Sequence, residues 1–260
     1  MIKVIFKGRF GNNLYQYCYG RILAEQTGHQ LTFEPKKQNF SPYGTEEGIP
    51  GFKNALPLEG KILKRPEIYY REEYDEPLAP NEVITEGSLT LEGWFQFAYY
   101  FDGYRDQIRD WLAIESDTAG YHVGPKDLVL NLRLGEDYDN DKRCWIIHPD
   151  FYHKIIEQYG FNQLYICTDT PKSKLLKEFD RYNPTLFASG VPLIDFKFLK
   201  SFNRIAISTS SFSWWAAYLS DAQQIYFPDT RDSVSNIWNQ GLHFVNEPRY
   251  IYLKARGLHE

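Results

Sequence analysis

Residues 2–7 (IKVIFK) are a short apolar-rich run with β-branched residues, a pattern that predicts a strand. Gly8, Gly11 and Asn12 punctuate it. From Asn13 the apolar positions Leu14, Tyr17, Cys18, Ile22 and Ala24 recur at helical spacing, and Gly28 closes the predicted helix. Residues 30–34 (QLTFE) predict a second strand. Residues 36–88 mix Pro, Gly, Lys and Glu with short apolar fragments and predict loops and small elements. Order resumes over 93–112, which ends as an amphipathic helix with Ile108, Trp111 and Leu112 on one face; 115–127 reads as a linker.

Beyond the linker the pattern alternates. Strands are predicted at 128–134, 164–168, 204–208 and 224–227, and helices at 149–159, 171–179, 192–202 and 211–220. Strands alternating with helices of this length predict α/β architecture with parallel sheets flanked by helices. The expected organisation is two facing Rossmann-like lobes, residues 1–120 with the irregular 36–88 insert and residues 121–260. Such sheets bind ligands outside the carboxyl ends of their strands, which says where to look for chemistry.

Composition narrows the classes. The 260 residues are 43% hydrophobic and 24% charged, which excludes disorder, collagen and coiled coil as descriptions of the whole chain. A net charge of −5 leaves no basic surplus for a nucleic-acid footprint, although a local pocket for one phosphorylated ligand remains compatible with it. Three cysteines (Cys18, Cys144, Cys167) at spacings unlike any zinc motif predict buried free thiols in a reducing compartment. No apolar run reaches the ~18 residues a membrane span requires, and the N-terminus opens directly into a strand, so a soluble cytosolic protein is expected. The aromatic content of 17% suits either core packing or stacking on bases and sugars.

Four segments fall at predicted strand ends. Gly8-Arg9-Phe10-Gly11-Asn12-Asn13 is a Gly-rich turn that could bring backbone close to a ligand or be an ordinary βα turn; it lacks the third glycine of a dinucleotide fingerprint. Asn131-Leu132-Arg133-Leu134 places an arginine in an apolar strand pattern. A half-buried guanidinium needs an anion, either phosphate oxygens or a structural carboxylate from Glu136, Asp137 or Asp169. Asp169 itself ends a strand, where it either caps the next helix or binds a ribose hydroxyl. Ser208-Thr209-Ser210-Ser211-Phe212-Ser213 clusters hydroxyls at a helix start, where free N–H groups and the helix dipole together favour a phosphate over a plain cap.

These residues match a known pattern in order along the chain. GRFGNNLYQYCYGRILA resembles the opening of the family 11 glycosyltransferases, the α-1,2-fucosyltransferases, and LEGWFQFAYYF, LNLRLGEDY, LYICTDT and ISTSSFSWWAAYLS resemble four later segments of that family. The resemblance runs from residue 7 to about residue 228. It implies a GT-B-type fold, no catalytic metal and no cofactor beyond a GDP-sugar donor, GDP-L-fucose first, whose sugar passes with inversion to a glycan hydroxyl. It makes the first lobe the acceptor side.

By that likeness Arg133 holds the donor diphosphate, and Ser210, Ser211, Phe212 and Ser213 form the donor segment with Ser211 as a phosphate ligand. Asp195 reads the guanine edge, since one carboxylate suits the two adjacent donors of guanine. Asn131 touches guanine through its backbone, Asp169 belongs to the donor site, and Gly11 and Asn12 line it from the other lobe. Glu136 and Asp137 are the candidate bases for the acceptor proton, with His148 expected instead to start a helix. Acceptor contacts are expected from 36–88 and from Trp94–Tyr100. The chain departs from the family at Asn131 (histidine there), Leu134 (a second arginine), the doubled acid Glu136-Asp137 and Ala216-Ala217. A different GDP- or UDP-sugar, a metal held by Asp137, Asp139 and Asp141, and a non-catalytic glycan-binding module are the alternatives.

Overall fold

The computed structural model of the protein describes residues 1–35, 52, 54, 68–71, 80, 88–114, 121–134, 146–232 and 244–259. The chain divides into two compact units, Met1–Glu115 and Ser116–Glu260.

The first unit is built on a parallel sheet of β1 (Ile2–Phe6), β2 (Leu31–Pro35), β3 (Ile68–Arg71) and β4 (Leu89–Glu92), in the order β2-β1-β4-β3. Ile2, Val4 and Phe6 are buried on alternate positions of β1, as period-two patterning requires. Helix α1 (Phe10–Thr27) is buried on nearly every side. Gly20 is what lets it lie against the sheet, because a Cβ there would come within 2.4 Å of the Val4 side chain. Gly28, at φ +70, ends the helix and returns its N–H to Ala24 O. A 3-10 turn (Ala98–Phe101) and α2 (Arg105–Trp111) complete the unit, with Ile108, Trp111 and Leu112 buried as the amphipathic pattern predicts.

The second unit carries six parallel strands in the order β10-β9-β8-β5-β6-β7. These are β5 (Leu128–Leu132), β6 (Leu164–Thr168), β7 (Thr185–Phe187), β8 (Arg204–Ala206), β9 (Gln224–Asp229) and β10 (Tyr250–Lys254). Among the described residues three α-helices join them: α3 (Pro149–Tyr159), α4 (Pro192–Lys200) and α5 (Ser211–Leu219). Leu128, Leu130, Leu132 and Leu134 pack with Phe151, Tyr152 and Ile155 of α3 in one core that also takes Ala206 and Tyr226. His148 caps α3 by accepting from Asp150 N, with Pro149 at the first helical position, as expected for that histidine.

At the amino ends of these strands Arg204 is buried, and its guanidinium is satisfied by uncharged oxygens. It donates to Gly160 O at 2.9 Å, Tyr159 O at 3.2 Å, Lys126 O at 3.4 Å, Tyr226 Oη at 2.9 Å and Gln224 Oε1 at 2.9 Å. Two of those carbonyls end α3, where the helix dipole favours a cation.

Several predicted elements move. Helix α1 begins at Phe10 rather than Asn13, so Gly11 and Asn12 lie in its first turn. The strand predicted to 134 stops at Leu132, which leaves Arg133 just beyond it. The helix predicted at 171–179 is a 3-10 helix over Lys174–Tyr182 capped by Ser173. Strands β3, β4, β7 and β10 were not predicted. Strand β3 lies in the stretch read as irregular, most of which falls outside the described residues, and β7 is only three residues long.

Candidate functional site

The carboxyl ends of β5, β6 and β8 bring one set of polar residues together in the second unit. Asn131 is buried at the end of β5. Its Nδ2 donates to Cys167 O on β6 at 3.3 Å, and its Oδ1 accepts from Ser208 Oγ beyond β8 at 2.7 Å. Ser208 Oγ lies 3.3 Å from Ser213 Oγ inside α5, so one side chain spans three strand exits. The Asn131 backbone was expected to touch guanine; its carbonyl accepts from Tyr152 Oη of α3 at 3.0 Å.

Side chains alternate along β5. The leucines at 128, 130, 132 and 134 take the α3 face, so Asn131 and Arg133 take the other, where Ser208 and Ser213 are met. Arg133 pairs with Asp169, whose Oδ1 also accepts from Leu134 N at 3.0 Å and Thr170 Oγ1 at 3.4 Å. Of the two anions open to Arg133 in the sequence, a carboxylate is therefore present, and it comes from Asp169. Asp169 caps no helix; Ser173 takes that role, four residues later.

The serine-rich segment behaves as a helix start. Ser210 is the N-cap of α5, its Oγ accepting from Phe212 N at 3.3 Å. Ser213 is fully buried, with Oγ donating to Ser210 O at 3.1 Å and Ser208 O at 3.3 Å, so it organises the turn from within. Ser211 stands at the first helical position, where backbone N–H groups are unclaimed by the helix. The Phe212 ring meets Phe196 of α4 edge-on at 5.5 Å, joining the two helices.

Asp195 sits in the first turn of α4, beside Phe196. Its Oδ1 accepts from Ser189 N at 2.9 Å, and its carbonyl lies 3.9 Å from Cys167 Sγ. Burial raises the Asp195 carboxyl above the ordinary carboxylate range, partly offset by the Ser189 bond. Val191 and Ile194, shortly before it in the chain, are exposed. Burial, aided by the Asp195 charge, pushes the Cys167 thiol far up; Cys18 is likewise buried and free, while Cys144 lies outside the described residues.

In the first unit, Gly11 is buried in α1 and Asn12 is half-buried one residue on. Asn12 Oδ1 accepts from Gln96 Nε2 at 2.8 Å. Phe95, between Trp94 and Gln96, has φ +52, a left-handed backbone for a bulky residue. It is held there by full burial and by stacking on Tyr19 at 4.2 Å. Lys7 Nζ stands 4.8 Å over the Trp94 ring. Glu136 and Asp137 lie outside the described residues, as do Asp139 and Asp141.

The sequence reading ended the β9 strand at Phe227 and passed over its exit. There the buried Asp229 receives Arg231 Nε on one carboxylate oxygen and Nη2 on the other, each at 2.9 Å. The strand-end rule already applied to β5, β6 and β8 would have found both residues.

No family model matches the chain. A curated Caenorhabditis elegans protein, "Putative glycosyltransferase C06E1.7", is 21% identical over 285 residues, covering 92% of this chain and 75% of that one. Solved structures with a similar fold include the α-1,6-fucosyltransferase NodZ co-crystallized with GDP, at 14% identity and TM-score 0.50 over 86% of this chain and 93% of that one. Another is the fucosyltransferase NodZ from Bradyrhizobium, at 14% identity and TM-score 0.53 over 86% and 94%. The parallel-sheet α/β fold of this chain is thus the GT-B-like fold of those fucosyltransferases.

Proposed function

We propose that the protein is a glycosyltransferase of the fucosyltransferase type, transferring a sugar from a GDP-sugar, GDP-L-fucose first, to a glycan hydroxyl with inversion. The α-1,2 linkage follows the motif resemblance alone. The observation that carries the reading is the hydrogen-bonded set at the carboxyl ends of β5 and β8: Asn131, Ser208 and Ser213, flanked by Arg133 with Asp169 and by Asp195.

The proposed chemistry uses these groups directly. The acceptor oxygen bonds to the anomeric carbon as the bond from that carbon to the β-phosphate oxygen breaks, and GDP leaves with the electron pair. Negative charge grows on the leaving phosphate. The Arg133 guanidinium and the N–H groups at the start of α5 face that charge without needing to reorganise, an effect worth about 3–4 kcal/mol per donor. The acceptor proton passes to a carboxylate, for which Glu136 and Asp137 stay the candidates, or to the phosphate itself. Asp195 accepts from guanine N1–H and N2–H₂, and the aliphatic surface of Val191 and Ile194 suits the flat base.

A panel of GDP, UDP, ADP and TDP tested by thermal shift, followed by incubation with GDP-fucose and glycan acceptors while GDP release is measured, tests the reading. GDP alone should raise the melting temperature. Preference for UDP would remove Asp195 as the base reader and favour a different nucleotide sugar. Saccharide binding with no nucleotide binding would favour a non-catalytic glycan module.

A further inference from the structure

We propose that Arg231 is a second cation of the diphosphate site, presented from β9 on the opposite flank of the serine-lined helix start from Arg133. The proposal rests on the GDP-sugar reading above and adds to it a ligand residue that the motif resemblance does not contain.

Strand order makes the placement specific. Strand β8, which feeds Ser208–Ser213, lies between β5 and β9. The register Leu130↔Ala206↔Tyr226 runs across the three strands, so Arg133 and Asp229, each three residues on, stand level on either side. At about 4.8 Å per strand their backbones are roughly 10 Å apart. Tyr226 belongs to the core that faces α3, so Phe227 and Asp229 project from the opposite face, as Asn131 and Arg133 do.

The guanidinium is already oriented. Asp229 is buried, with its side chain 6% exposed, and it holds Arg231 through a bidentate pair plus a bond from Arg231 N to Oδ1 at 3.2 Å. The Phe244 ring lies 4.6 Å from the guanidinium carbon. The Arg231 side chain is nevertheless 53% exposed, so its outer N–H groups face solvent. Lys254 on β10 reaches Asp229 at 3.7 Å and pairs with Asp232, which leaves the Asp229 carboxylate fully committed. A planar fork fixed on one edge and open on the other is suited to phosphate oxygens.

Calorimetric titration of the full chain with GDP and with guanosine separates the possibilities. Arg231→Ala should weaken GDP roughly 10- to 100-fold, as expected for one charge-assisted hydrogen bond, and leave guanosine unchanged. Arg231→Lys should recover part of the loss. Arg231→Gln keeps a donor toward Asp229 and serves if the alanine variant does not fold; it should lose GDP affinity as well. Wild-type affinity for GDP in these variants, or equal weakening of GDP and guanosine, overturns the proposal while leaving the GDP-sugar reading in place. A wild-type protein that binds no GDP overturns both.

Discussion

Arg133 and Asp169 are ion partners across the exits of two neighbouring strands, and the same carboxylate also receives Leu134 N. The backbone bond fixes Asp169, and Asp169 in turn fixes the guanidinium on the sheet face that carries the serine-rich helix start. Arg133→Ala should reduce GDP affinity at least tenfold and cost about 1–3 kcal/mol of stability, because a half-buried carboxylate loses its countercharge. Arg133→Ala combined with Asp169→Ala should cost less than the two separate losses added, with a coupling of about 0.5–3 kcal/mol in a urea-unfolding cycle. Strict additivity would mean that the pair contributes nothing.

Asp195 gives a pH prediction of definite sign. Burial raises its folded pKa above the unfolded value, so the native state holds that proton more tightly. Stability from this group is complete below the ordinary carboxylate pKa of about 3.9 and is lost as pH rises through the raised value. If Asp195 reads guanine as proposed, it must be ionised to do so, so guanosine affinity should fall on acidification before an ordinary carboxylate would titrate. Asp195→Asn should remove that dependence and weaken guanosine at neutral pH. An acid limb that survives in the variant assigns the titration to another group.

Gln96 and Asn12 allow a test of amide orientation. Gln96 Nε2 donates to Asn12 Oδ1, which sets the Asn12 amino group on the side of Gly8. Gln96→Glu replaces that donor with an acceptor and should turn the Asn12 amide over. Turnover of GDP-fucose should therefore suffer more from Gln96→Glu than from Gln96→Ala, in which Asn12 stays free to choose. If the order is reversed and follows melting temperature, Gln96 acts only through packing.

Gly8 has φ +79, and a Cβ there would meet Asn12 Nδ2 at 2.3 Å and the Trp94 ring at 2.8 Å. Gly8→Ala should destabilise the protein by more than about 1 kcal/mol in denaturant unfolding, through backbone strain and contact together. A neutral substitution would show that the Asn12 and Trp94 side chains yield without cost.

Legibility in the sequence depended on element length and on which signals compete. Helix α3 was readable to its terminal residues because Pro149 marks its start and one strongly amphipathic face runs to Tyr159. Strand β7 was not, because three residues with two exposed side chains carry no periodicity. The first turn of α1 read as a loop because Gly8 and Gly11 suggested one, whereas the buried Phe10 already belongs to the helix. The face taken by Arg133 was legible in the leucines on either side of it. Asp229 and Arg231 were missed because Pro228 ended the apolar run immediately before Asp229.

Arg204 has a wider consequence for how this protein can change. By tying the last carbonyls of α3 to the amino ends of the sheet, it anchors the scaffold at the rim opposite the strand exits. The anchor and the proposed donor site thus fall at different borders of one sheet. On the proposed function, residues at the exits could be exchanged to retune nucleotide or sugar preference while the framework stays fastened from behind.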